Sequence, residues 1–283
     1  MRAVREMGQA TGVLEEVRQR VVDYILARRN DDGGYTSVQF TDSNARDTFL
    51  ALATLRELDV TPPNVEQTVV WLRSFPLADL GSIYYVNKSL CILEQPLVDV
   101  EEIFEKLRNE YGGYGTLDVD VESTSELETT MMSVELMRML NKELDDVKTT
   151  NFVLKLKNPD GGFGKGGISN LISTYHALRV LSLLDYEVKA LDDSANYVVT
   201  CASPSGGFTV KPGIEPAFME STYAGFMSLK LLERFPECLY KTADFVLSCL
   251  NSNGGFRRSL EHGISSFENT YCAISILKGL GVI

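Results

Sequence analysis

Asp160-Gly161-Gly162-Phe163, with Thr174-Tyr175 opening an apolar helical pattern behind it, is the unit whose recurrence decides the fold. The glycine turn returns as Asp32-Gly33-Gly34-Tyr35, Tyr111-Gly112-Gly113-Tyr114, Ser205-Gly206-Gly207-Phe208 and Asn253-Gly254-Gly255-Phe256. Successive first glycines are separated by 79, 49, 45 and 48 residues. The 79-residue gap is about two periods, so one repeat has lost its glycine pair. The second half of the unit locates it. Thr48-Phe49, Ile83-Tyr84, Thr130-Met131, Thr174-Tyr175, Thr222-Tyr223 and Thr270-Tyr271 make six repeats, and the second carries Trp71-Leu72-Arg73-Ser74-Phe75-Pro76 where the glycines would be.

Each repeat reads as helix, turn, helix. The first helices are expected at about 13–29, 64–75, 99–110, 145–157, 190–201 and 238–250. They are amphipathic: Leu14, Val17, Val21, Tyr24, Ile25 and Leu26 fall near one face, with Glu15, Glu16, Arg18 and Arg20 between them. Asn, Asp and Gly tolerate the left-handed backbone that ends a helix, and the aromatic after the glycines can fold back onto the helix pair. The second helices, at about 45–57, 82–94, 126–141, 170–184, 220–234 and 267–280, are apolar on more than one face, as in Ala224-Gly225-Phe226-Met227-Ser228-Leu229. Helices apolar nearly all round are buried. The pattern therefore predicts an all-α double ring, six half-polar helices outside and six buried ones inside. An open solenoid needs polar capping repeats, whereas the last helix is apolar almost to Ile283, so the ring is expected to close.

The 283-residue chain is expected to form one domain over residues 1–283, large enough for a sizeable core. It carries 27 basic and 39 acidic residues, net charge −12, which argues against general nucleic-acid binding and against docking on anionic lipid by bulk charge. The five cysteines, at 91, 201, 238, 249 and 272, form no C-x-x-C pair, which fits thiols in a reducing compartment. No secretory signal and no membrane span is read, so a cytoplasmic protein is expected.

A Gly-Gly-aromatic turn followed by Ser/Thr-Tyr on an apolar helix, repeated every 45–50 residues, resembles the β subunits of protein prenyltransferases. Those are α/α toroids, and the related squalene and terpene cyclases use a similar repeat with Trp after the glycines. The resemblance covers essentially the whole chain. It implies a central cavity, an isoprenoid diphosphate ligand, prenyl-group transfer and a helical-repeat α-subunit partner. It also implies a zinc site, at positions that hold Glu220, Thr222 and Glu268 in this sequence. No thiolate or imidazole stands there, and zinc prefers Cys and His, so no zinc is expected while Mg²⁺ is left open. The family's diphosphate-binding His aligns with Ile172 and an Arg with Glu128.

Three residues before the aromatic, the repeats carry Arg46, Gly81, Glu128, Ile172, Glu220 and Glu268, expected at one mouth of the cavity. Glu128, Glu220 and Glu268 are the candidate catalytic residues; glutamates there also complement a helix dipole. The resemblance assigns the diphosphate to basic residues on the loops after the turns, here Lys211, Arg257 and Arg258, with Lys165 nearby. Tyr84, Tyr175, Tyr223 and Tyr271, with Phe49, would line the cavity and hold the prenyl chain, with Met131 interrupting them. Aromatic packing alone gives the same pattern. Asp118-Val119-Asp120-Val121-Glu122 is similar to the acidic motif of class II terpene cyclases but lies too early, so Glu126 or Glu128 would be the proton donor of a cyclase-like enzyme. His176 is read as a hydrogen-bonded core residue, and His262 with Glu220 and Glu268 as a non-standard metal site. The alternative to an enzyme is an interaction protein that has kept the ring and lost the site.

Overall fold

The computed structural model describes residues 2–115, 126–261 and 263–283. Among the described residues, twelve α-helices alternate between two rings. The outer helices are α1 (Arg2–Leu26), α3 (Val65–Ser74), α5 (Glu101–Leu107), α7 (Asp146–Leu154), α9 (Asp192–Thr200) and α11 (Thr242–Ser248). The inner helices are α2 (Ala45–Glu57), α4 (Leu80–Ile92), α6 (Leu127–Met139), α8 (Leu171–Leu183), α10 (Met219–Leu231) and α12 (Phe267–Gly279). Each inner helix packs on the next, and α12 packs on α2, so the ring is closed. The chain is an α/α toroid. One helix differs from expectation at its start: α1 begins at Arg2 rather than near residue 13.

One hydroxyl ties each turn to its own inner helix. The threonine ahead of the inner aromatic accepts the backbone N–H of the turn aromatic: Thr48 from Tyr35, Thr130 from Tyr114, Thr174 from Phe163, Thr222 from Phe208 and Thr270 from Phe256, at 2.9–3.1 Å. The second repeat has Ile83 there, and it is the repeat without the glycine turn. Donor and acceptor are lost together, because either alone would be a buried polar group without a partner. We expect Thr222→Val to cost about 1–3 kcal/mol, the penalty for a buried N–H left unpaired. Urea denaturation checks this; an unchanged midpoint would remove the hydroxyl from the account.

The glycines tie each turn to the following outer helix. The first of each pair has φ between +87° and +97°, backbone that favours glycine. Against the second lies an aromatic of the next outer helix: Trp71, Phe152, Tyr197, Phe245 and, across the seam, Tyr24 of α1. The turn aromatics Tyr35, Tyr114, Phe163, Phe208 and Phe256 fold back into the space between the rings and are buried.

All six inner helices end alike. A leucine is followed by a left-handed residue, Asp59, Glu94, Asn141, Asp185, Glu233 or Gly281. The next N–H then returns to a carbonyl five residues earlier, as from Val60 to Leu55 and from Val282 to Leu277, both at 2.9 Å. This closes the last turn of the helix on its own orphan carbonyls. At the other end Asn44, Asp79, Asn170 and Ser266 cap the first turn with side-chain oxygens. The inner helices are thus held at one common height, and equivalent positions along them form layers across the ring.

Candidate functional site

The bore of the ring holds a cavity of 510 Å³. Its walls are three layers of inner-helix side chains.

The mouth layer, in the first turn of the inner helices, contains Arg46, Glu128, Ile172, Glu220 and Glu268, all lining the cavity; Gly81 contributes no side chain. Arg46 pairs with Glu268 at 2.6 Å. Arg258, on its loop, bonds Glu220 through Nε at 2.6 Å and stacks 4.0 Å over the Phe218 ring. Glu128 has no ion pair among the described residues. Burial raises its carboxyl pKa, Glu126 and Glu268 push the same way, and Arg46 opposes them.

Lys211, Arg257 and Arg258 are not among the residues lining the cavity, and Arg258 meets the mouth only through Glu220. The Lys211 carbonyl accepts from Thr209 and Ile214 and shapes its loop. Arg257 binds the carbonyls of Ser248, Ser259 and Leu260 and the Asn251 side chain, so its guanidinium serves the loop rather than a ligand. Arg46, not Arg257, accompanies Arg258 at the mouth. Lys165 stands 4.0 Å from Glu126, beside a side pocket of 320 Å³ between α6 and α8.

The middle layer is a belt of rings in contact. Tyr175 and Tyr223 are 5.7 Å apart between centroids, Tyr223 and Tyr271 5.9 Å, Tyr271 and Phe49 6.1 Å, Phe49 and Tyr85 5.6 Å, and Tyr85 and Tyr84 5.2 Å. Met131 fills the interval on α6. Tyr85 is a member the motif alignment did not single out; its hydroxyl faces the Arg46 guanidinium. His176 lines the cavity instead of sitting in the core, 5.7 Å from the Tyr175 ring. Burial pushes its pKa down to about 4, so it is neutral at pH 7.

The floor layer lies seven residues beyond the mouth, about 10 Å along the helices. Here the structure assembles a cluster that motif reading missed. Glu135 of α6 accepts from Lys88 of α4 at 2.8 Å, from Arg179 of α8 at 3.1 Å and from the Tyr84 hydroxyl at 2.6 Å. Only 11% of its side chain is exposed, and the two cations with the phenol hold its pKa down at about 2 despite burial. The other half of this layer is Ala53, Met227 and Ser275.

The zinc that the resemblance implied does not fit these residues. Thr222 is fully buried, with its hydroxyl committed to Phe208 and Phe218. Glu220 and Glu268 are each held by an arginine. Among the described residues no three His, Cys, Asp or Glu side chains gather as a metal site. His262 and the acidic string at 118–122 lie outside the described residues. No helix among the described residues is long and apolar enough to cross a membrane.

The family model of the prenyltransferase alpha-alpha toroid domain matches residues 3–75, 77–243 and 216–282. No curated protein matches the sequence. Among solved structures, the chain is similar to Candida albicans protein geranylgeranyltransferase-I complexed with GGPP, at 17% identity and TM-score 0.74, over 92% of this chain and 90% of that one. It is also similar to the type II terpene cyclase MstE from Scytonema in complex with merosterolic acid A, at 10% identity and TM-score 0.68, over 97% and 99%. A third likeness, to ent-copalyl diphosphate synthase from Streptomyces platensis, has 13% identity and TM-score 0.55 over 82% and 51%. At these identities the likeness is one of fold.

Proposed function

The chain belongs to the prenyltransferase alpha-alpha toroid family, and from that premise we propose that it binds a prenyl diphosphate in the bore and transfers the prenyl group to an acceptor. The belt of six aromatic rings carries this reading. A 510 Å³ cavity is within the usual size of small-molecule sites, about 300–1,000 Å³. Its ring faces are apolar enough for an isoprenoid chain, and they attract positive charge. The diphosphate would sit at the mouth, where Arg46 and Arg258 exchange their glutamates for phosphate oxygens. Heterolysis of the allylic C–O bond then leaves diphosphate on the arginines and an allylic cation against the belt, and the acceptor's nucleophilic atom closes the new bond to carbon while its proton passes to the released diphosphate. Two features favour the wider reading. The loops around the mouth expose Val38, Phe40, Ile168, Ile214 and Ile264, suited to a helical protein partner. All five cysteines are unpaired, in keeping with a cytoplasmic location.

Calorimetric titration with farnesyl and geranylgeranyl diphosphate, with and without Mg²⁺, tests the proposal. Saturable micromolar binding is expected, weakened about 100-fold when Tyr175 and Tyr223 are both replaced by alanine, since each loses a large apolar face. Absence of binding in every condition would overturn it.

Glu128 favours a second reading, in which the carboxyl acts as proton donor of a cyclase-like reaction. It sits at the mouth, has a raised pKa and makes no ion pair among the described residues. A cyclic product retaining its diphosphate, lost in Glu128→Gln, would select this reading over transfer.

A further inference from the structure

The floor cluster carries one more positive than negative charge, and its donors are not used up. Lys88 and Arg179 each give one N–H to Glu135, and among the described residues neither makes another hydrogen bond. An ammonium has three donors and a guanidinium five. All three side chains line the main cavity. The Lys88 ammonium also stands 5.6 Å from the centroids of both Phe49 and Tyr84, at the lower edge of the belt. Beyond it a second cavity of 410 Å³ opens toward the opposite rim, lined in turn by Lys88 and Glu135, so the cluster divides the bore. A purely apolar chain running down the belt would end against exposed cationic donors and strip their water without replacing it, which is unfavourable.

We propose that the floor is a second ligand subsite, built on Lys88 and Arg179, which takes a carboxylate at the far end of an apolar chain. The inference rests on the reading of the belt as the place of that chain. Glu135 sets the subsite's strength. It occupies part of the donor set, holds both cations toward the bore and leaves a net single positive charge for the ligand to neutralise. A ligand carboxylate would take the donors that Glu135 leaves open, through charge-assisted hydrogen bonds. Ala53, Met227 and Ser275, on the other half of the layer, carry no charge. The carboxylate is therefore drawn to the side of α4 and α8.

Farnesoate and farnesol, which differ only in the terminal carboxylate and hydroxymethyl, test this by calorimetry on the full chain, with farnesyl diphosphate titrated in parallel. The wild type is expected to bind farnesoate at least 10-fold tighter than farnesol. Lys88→Met and Arg179→Met should each bring that ratio close to one. Glu135→Gln should raise it further, because the ligand carboxylate then inherits the bonds of the missing one. Farnesoate should also raise the Tm of Glu135→Gln more than that of the wild type. This thermal readout does not depend on the methionine variants folding, and a merely structural cluster would not produce it. A wild-type ratio near one overturns the subsite, as does a ratio that survives both methionine variants or falls in Glu135→Gln. Diphosphate binding without carboxylate preference would remove the subsite and leave the Proposed function standing. Carboxylate preference without diphosphate binding would leave the subsite and remove the diphosphate from the Proposed function.

Discussion

Glu135→Ala is expected to lower stability by about 3–5 kcal/mol, the usual cost of removing one partner from a buried ion pair. Lys88 and Arg179 would be left facing each other across the floor with no anion between them, and the Tyr84 hydroxyl would lose its acceptor. Replacing the cluster as a whole, with Lys88→Met, Glu135→Leu and Arg179→Met together, should return the urea midpoint to the wild-type value or above it. An apolar layer of similar volume carries no desolvation cost, and buried charge networks often break even against such replacements. The same carboxylate predicts an acid limb. Its folded pKa of about 2 lies below the ordinary 4.5, so its contribution is complete above the unfolded value. It is lost as pH falls from about 4.5 toward 2, when the unfolded chain binds the proton first. Urea midpoints measured between pH 6 and 2.5 should fall for the wild type and fall less for Glu135→Gln. If Glu135→Ala is as stable as the wild type, or the two pH profiles coincide, the cluster is not an energetic unit.

Gly254→Ala should be still more damaging, with a loss above about 4 kcal/mol or no folded protein at all, well outside the range of ordinary point mutants. Two independent costs fall on one atom. The backbone there has φ of +89°, and the added methyl would collide with the backbone carbonyl oxygen of Arg20. That oxygen belongs to α1, across the seam where the sixth repeat meets the first. The contact cannot relax by moving a side chain; it relaxes only by opening the ring. Gly166→Ala is the control. It also has positive φ, +65°, but no atom lies within 4 Å of the added methyl, so only conformational strain of about 1 kcal/mol applies. Denaturation of both variants separates strain from ring closure. Equal losses would show that the seam contact contributes nothing of its own.

The repeat was legible in the sequence because its parts are local. A glycine pair, a threonine and an aromatic at fixed offsets give the turn, its hydroxyl tie and the start of each inner helix. Register from that motif also brought Arg46, Glu128, Glu220 and Glu268 to a common mouth. What it did not reveal lies five residues past the threonine, where no motif marks the position. Lys88, Glu135 and Arg179 occupy the same register in three successive repeats, on helices otherwise apolar nearly all round. A charged residue on such a helix was the available signal, and its recurrence at one height in adjacent repeats would have joined the three. The basic loops misled for the opposite reason. Arg257 and Arg258 are neighbours in sequence with the same chemistry, yet one is consumed by backbone carbonyls and the other crosses to Glu220. Only the path of the loop decides between them. The six leucine-plus-left-handed helix ends were also unmarked, because Asp, Glu, Asn and Gly all serve there and share no obvious pattern.

The second repeat lacks its glycine turn, and the segment joining α3 to α4 is only residues 75–79, whereas α7 and α8 are joined by residues 155–170. A toroid with six equal sectors would offer a guest six equivalent orientations about its axis. Choosing one of six costs about 1 kcal/mol that a matched guest must supply. Here the segment leading into α4 is short, and the floor charges lie on α4, α6 and α8. The ring has a built-in azimuth. For any guest, one rotation about the axis differs from the other five.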